Sequence, residues 1–194
     1  MTIVKPEAPK EGYGVVEQAL GVLSDHPAVM ALLAPANTVE VMPPLAVHML
    51  DRDEIMRGAV ASQKPVATWR YLIGSGQAMG AADLHVRDGA LHFARLDHGR
   101  IVQQLYKALT LADAVFSARE DEVKLAIVES PPLYAAALWL KSLGPDPERD
   151  CFIPYFDGTQ EGPAIQPRSD YLDVLKAKLE ERKGVARFAE RPSN

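Results

Sequence analysis

Apolar positions along the chain change period several times, and each change marks a predicted element. From Tyr13 the apolar residues Val15, Ala19 and Leu23 recur at helical spacing, widened by Val16 and Leu20. Ser24-Asp25-His26-Pro27 then stops that pattern and starts a second short helix with Val29, Met30, Leu32 and Leu33, ended by Pro35. Between Thr38 and Leu50 the pattern alternates but is broken at Pro43-Pro44, which predicts two short edge strands or extended segments. Asp51 reads as a helix N-cap with Glu54 three residues on, and Leu50 and Ile55 stand where a hydrophobic staple needs them, so a short helix to about Val60 is predicted.

The most informative stretch runs from Val66 to Leu96. Val66–Ile73 is rich in β-branched and aromatic residues, and Gly74-Ser75-Gly76 interrupts it. Strands Gln77–Val86 and Ala90–Leu96 flank Asp88-Gly89, a dipeptide that tolerates positive φ at both central positions of a two-residue hairpin turn. Pairing outward sets Arg87 opposite Ala90, Val86 opposite Leu91, His85 opposite His92 and Leu84 opposite Phe93. One face then carries Val86, Leu84, Leu91 and Phe93; the other carries Asp83, His85, Arg87 and His92.

Asp97 stands as a cap for a helix from about Gly99 to Phe116, with Ile101, Val102, Leu105, Ala108, Leu109 and Ala112 as its apolar stripe. Val123–Val128 reads as a strand and Ser130-Pro131-Pro132 as a corner. Leu133–Leu140 satisfies two templates: its alanines favour helix, its length and flanking turns favour a buried strand. Cys151–Phe156 reads as a short final strand, and Ser169 as the cap of a last helix ending near Gly184. The predicted organisation is a flexible arm over 1–12, a single domain over 13–183 with a Gly/Pro-rich linker at 157–168, and a polar tail over 184–194. The fold class is α+β: a mainly antiparallel β-sheet covered by amphipathic helices, with helices 14–33, 99–116 and 169–183 on one face or edge. A strand–strand–strand–helix rhythm occurs twice, over 66–116 and 123–183.

With 133–140 as a strand, the order helix, three strands, helix, two strands, helix is similar to that of type III secretion chaperones. The likeness is one of architecture; no residue motif accompanies it.

Composition narrows the classes of function. The 194 residues carry 47% apolar and 24% charged side chains and a formal charge of −5, which fits a soluble globular protein and not a disordered one. The acidic balance, with Glu180 and Glu181 interleaved among Lys176, Lys178, Arg182 and Lys183, argues against nucleic acid as a partner. The N-terminus has no signal-peptide pattern, and no apolar run is long enough for a membrane helix. One cysteine fits a reducing, cytoplasmic setting without an intrachain disulfide.

Three constellations bear on chemistry. Asp83, His85 and His92 share a hairpin face, and two imidazoles with a carboxylate are a ligand set for a divalent metal; the competing reading is a pair of cross-strand neighbours beside a turn. Trp69, Tyr71 and Met79, together with Trp139 and Tyr134, read as core or as the lining of a ligand pocket. Gly74, Gly76 and Gly80 spell a G-x-G-x-x-x-G, but strands flank it where a phosphate loop needs a helix. The first functional expectation is therefore a non-catalytic, chaperone-like binding or assembly protein forming a homodimer, with a protein or apolar small molecule as partner. The alternative is a small-molecule-binding protein or metal-dependent enzyme using Asp83, His85 and His92.

Overall fold

Asp88 and Gly89 turn the chain with φ of 52° and 78°, closing a two-residue hairpin. A computed structural model describes residues 3–4, 9–27, 29–30, 40–60, 64–75, 78–116, 122–144, 146–156 and 162–189. The hairpin strands are β5 (Ala78–Arg87) and β6 (Ala90–His98), and their register pairs Arg87 with Ala90, Val86 with Leu91, His85 with His92 and Leu84 with Phe93, as the turn predicts. The register then slips: Asp83 pairs with Arg95, so Ala94 is an extra residue on β6.

The other strands are β1 (Ile3–Val4), β2 (Glu40–Val41), β3 (Leu45–Met49), β4 (Thr68–Ser75), β7 (Val123–Ser130), β8 (Ala135–Ser142), β9 (Cys151–Phe156) and β10 (Gln166–Pro167). The helices are α1 (Gly12–Val22), α2 (Arg52–Arg57), α3 (Arg100–Phe116) and α4 (Arg168–Ala189). Among the described residues all ten strands join one sheet, ordered β10-β9-β8-β7-β3-β4-β5-β6, with β1 beside β7 and β2 beside β4. Among the described residues only the β1–β7 and β3–β7 pairs are parallel, so the fold is α+β with a mainly antiparallel sheet.

The order is palindromic. Strands β3 to β6 form an antiparallel meander followed by α3; strands β7 to β10 form another followed by α4, and the two meet at the parallel β3–β7 seam. The doubled rhythm seen in the sequence is thus present as topology, with an extra strand in each half. A half-turn about an axis along that seam would exchange the halves and invert the faces. Accordingly, Val102, Leu105, Ala108 and Ala112 of α3 bury against one face, and Tyr171, Leu172 and Leu175 of α4 join Val16 and Leu20 of α1 on the other.

This corrects the expectation that the helices cover one face or edge. It also explains β8. Alanine's helix propensity is weak beside two strand partners and burial on both faces: Ala135, Ala137 and Trp139 point into one core, Ala136, Leu138 and Leu140 into the other. A continuous apolar run is what such a two-sided strand requires. Likewise β3 is not an edge strand but lies between β7 and β4, with Ala46 in one core and Leu45 and Val47 in the other.

Local chemistry sets the ends. Asp51 Oδ1 accepts from Glu54 N at 2.8 Å and Glu54 Oε2 from Asp51 N at 2.9 Å, a complete capping box. Helix α2 stops at Arg57, earlier than Val60, because Gly58 turns left-handed at φ 67°. Asp97 does not cap α3; it remains in β6 opposite Ala81, with its carboxylate on Arg95. The expected arm over 1–12 contains strand β1, and the expected linker over 157–168 contains β10, so β9 is not the final strand. Ser169 lies inside α4, and the helix continues past Gly184 into the stretch expected as tail. Helix α1 ends at Val22, and helical geometry resumes at Pro27, Val29 and Met30. Gly76 of the predicted Gly74-Ser75-Gly76 interruption, Gln77 of the strand predicted after it, the predicted stop at Pro35, and residues 157–161 and 190–194 lie outside the described residues. With β1, β2, β3 and β10 added, the element order departs from the one resembling type III secretion chaperones. No described helix is long and apolar enough to cross a membrane.

Helix α1 approaches the sheet so closely at Gly12 that a β-carbon there would stand 1.8 Å from the Tyr71 hydroxyl oxygen. Tyr71 is fully buried, and burial pushes its hydroxyl pKa up to about 12. Gly12→Ala should therefore lower stability by about 1–3 kcal/mol in urea unfolding, the range for overpacking a filled site. A loss below about 0.5 kcal/mol would show that α1 is not seated there.

Candidate functional site

Arg70 interrupts an apolar strand. Its neighbours Trp69 and Tyr71 point into the aromatic core, so alternation along β4 sends Arg70 to the opposite face, where α3 packs. Burial of a guanidinium demands partners for its donors, and this one has them. Arg70 Nε donates to Asp83 Oδ1 at 2.7 Å and Nη2 to Asp83 Oδ2 at 2.8 Å, a bidentate fork across the β4–β5 pair. Nη1 donates to Glu129 Oε1 at 2.7 Å and to the Tyr155 hydroxyl at 3.2 Å. Arg95, about half exposed, adds Nε to Asp83 Oδ2 at 2.8 Å and Nε to Asp97 Oδ2 at 3.1 Å.

Burial alone would raise the pKa of Asp83, but hydrogen bonds and charge from Arg70, then Arg95, outweigh it and hold the carboxyl below its ordinary value. Burial pushes the Tyr155 hydroxyl far upward, keeping it a neutral partner. The network is drawn from both halves of the sheet: Arg70, Asp83, Arg95 and Asp97 from the first, Glu129 and Tyr155 from the second.

Above this network lies a cavity of about 260 Å³. Ile101, Val102 and Leu105 of α3 form one wall, and Pro131, Tyr134 and Phe156 the outer rim. Ala81, Ala135 and Ala136 line it too, and the short side chains of Ala81 and Ala136, which face α3, leave the room. Arg70, Arg95, Asp97, Glu129 and Tyr155 supply its polar surface. An apolar chamber with a few fixed polar groups is the ordinary chemistry of a small-molecule site.

The residues singled out from sequence are placed differently. Asp83, His85 and His92 do share a face, but both oxygens of Asp83 are occupied by arginine. His85 and His92 sit directly opposite each other nearer the turn, half-buried and exposed respectively. Among the described residues no group of three or more His, Cys, Asp or Glu is arranged to hold a metal ion, so the three do not form the expected divalent-metal set. Trp69, Tyr71 and Trp139 lie in one core, whereas Met79 packs against the other, so these four line no common pocket. Tyr134 alone reaches the cavity rim.

Trp139 is fixed by structure of its own. Its ring stacks on Phe152 at 6.1 Å, Phe152 stacks on Tyr171 at 4.6 Å, and Nε1 donates to Asp150 Oδ2 at 2.9 Å. Asp150 also accepts from Ser142 N at 2.9 Å; burial pushes its carboxyl upward despite these donors. Cys151 packs half-buried against the α3-side core.

The sequence reading passed over Arg70 and Glu129. Their signal was present: Arg70 stands between Trp69 and Tyr71 in an apolar stretch of β4, and Glu129 directly follows the apolar run 125–128 of β7. No protein-family model matches the chain, and no curated protein or solved structure matches it either.

Removing one partner of a buried pair leaves the other charge uncompensated, so Asp83→Ala should cost about 3–5 kcal/mol in chemical unfolding. His85→Ala and His92→Ala should each stay within about 0.5 kcal/mol, since neither belongs to the network. Because the folded pKa of Asp83 is depressed, its contribution is present in full above the unfolded value near 3.9 and is lost as pH falls through the folded value. The stability gap between wild type and Asp83→Asn should accordingly shrink below about pH 4; a gap independent of pH would contradict the ion-pair account.

Proposed function

We propose that this protein is a non-catalytic binding protein whose ligand is a small amphipathic molecule held between α3 and the sheet. The observation that supports this reading is the cavity above the Arg70–Asp83–Glu129 network, apolar on the helix side and polar on the sheet side. Its floor is preorganised: Arg70 is buried and its donors are committed to Asp83, Glu129 and Tyr155, so the polar groups are held in place before a ligand arrives. A volume of 260 Å³ suits a fragment-sized guest rather than a large cofactor. The metal-dependent alternative finds little support, because Asp83 is already neutralised by two guanidiniums.

The homodimer forms part of the same reading. Among the described residues, β6 has a strand partner on one side only, and it is nine residues long. An edge strand of that length pairs readily with an antiparallel copy of itself about a two-fold axis. Light scattering over a concentration series should give twice the chain mass, falling on dilution; a mass of one chain throughout would remove the dimer from the reading.

Methyl-labelled protein screened by NMR against neutral, anionic and cationic amphipathic fragments should show shifts at Ile101, Val102 and Leu105. Affinities near millimolar, about −4 kcal/mol, are expected for such probes. Ala136→Leu, which places bulk in the cavity, should abolish those shifts while the fold persists. Shifts scattered over the surface, or none at these three methyls, would overturn the reading.

A further inference from the structure

We infer that the cavity selects a cation: a primary ammonium on a short apolar stem, seated against Glu129. The inference rests on the binding reading above and deepens it. The charge inventory favours it first. Arg70 and Arg95 stand against Asp83, Asp97 and Glu129, so the network as a whole carries one more negative group than positive, while the cavity lining itself holds Arg70 and Arg95 with Asp97 and Glu129.

The disposition of individual atoms favours it next. Glu129 Oε1 is held by Arg70 at 2.7 Å, which fixes the carboxylate, while Oε2 lies 3.9 Å from Arg95 Nη2, beyond hydrogen-bond range. Glu129 lines the cavity, and its side chain keeps 12% of its surface exposed. An oriented, largely desolvated carboxylate with one oxygen making no hydrogen bond among the described residues is a seat for a donor, and a charged donor gains most there. Asp97, also lining the cavity, adds a second negative group to its surface.

The remaining walls set the rest of the guest. Ile101, Val102 and Leu105 offer no polar side-chain atoms, so the stem opposite the ammonium is apolar. A free small amine satisfies both halves at once. A lysine side chain presented by another protein carries the same chemistry and is separated from it by experiment.

Four probes discriminate: 2-phenylethylammonium, 2-phenylethanol, 3-phenylpropionate and Nα-acetyl-lysine methylamide, each titrated into the full chain at neutral pH and low salt, with the cavity methyls as readout. The ammonium should bind about tenfold more tightly than the alcohol, with the propionate weaker still. Its advantage should fade as salt is raised toward about 0.15 M. Glu129→Gln should reduce the ammonium to the level of the alcohol. Should that variant unfold, Asp97→Asn, at a partly exposed position, should still weaken the ammonium about threefold and leave the alcohol unchanged. Equal or tighter binding of the alcohol or propionate would overturn cation selection while leaving the binding site standing. Silence from all four would remove both. Tighter binding of the lysine derivative would overturn the free amine in favour of a partner's side chain.

Discussion

A guanidinium buried in a sheet is tolerable only if every strand around it is in the right register, and Arg70 imposes that condition here. Its fork on Asp83 fixes β4 against β5, its bond to Glu129 ties in β7, and its contact with Tyr155 reaches β9. A slip of one residue along β5 would send Asp83 to the aromatic face and leave the charge unpaired, at a cost of several kcal/mol. An apolar replacement of the whole network could be as stable. What the ions supply is discrimination among registers, in a sheet whose central strands are apolar on both faces and so specify register weakly by themselves.

The two faces use different means of filling space. On one, Trp139, Phe152 and Tyr171 stack into a closed aromatic layer beneath α4, with Asp150 satisfying the indole. On the other, alanines at 81 and 136 meet the branched residues of α3, and the volume they do not fill becomes the chamber. The site therefore arises from small residues on the strands as much as from the charged ones between them. Its polar groups also belong to the same network that sets register, so disturbing them should affect folding and recognition together.

How much could be seen in the chain itself differs by feature. The Asp88-Gly89 hairpin was legible because turn chemistry and two-residue alternation point to the same register, and the capping box at Asp51 because its partners are three residues apart. The sidedness of the helices was not, since a helical stripe shows which residues bury but not which face of a sheet receives them. The parity of Met79 against Trp69 and Tyr71 needed the pairing of Gly74 with Met79, which places it over the α3 face. The grouping of Asp83 with arginine and not with the two histidines was hidden for a related reason. Alternation correctly put Asp83 beside His85, but the competing ligand for that carboxylate, Arg70, sits on the neighbouring strand, 13 residues away. The bulge at Ala94 is likewise unmarked by proline or glycine, yet it brings Arg95 opposite Asp83.

The parallel seam has a kinetic consequence. Each meander is assembled from neighbours in sequence and can zip outward from its own turns, whereas Ala46 and Ala126 meet only after a loop of roughly 80 residues has closed. Seam formation is then the late, entropically expensive event, and the network joining Arg70 to Glu129 is the bond that rewards it. Without that seam β3 and β7 would each offer an apolar edge to other chains.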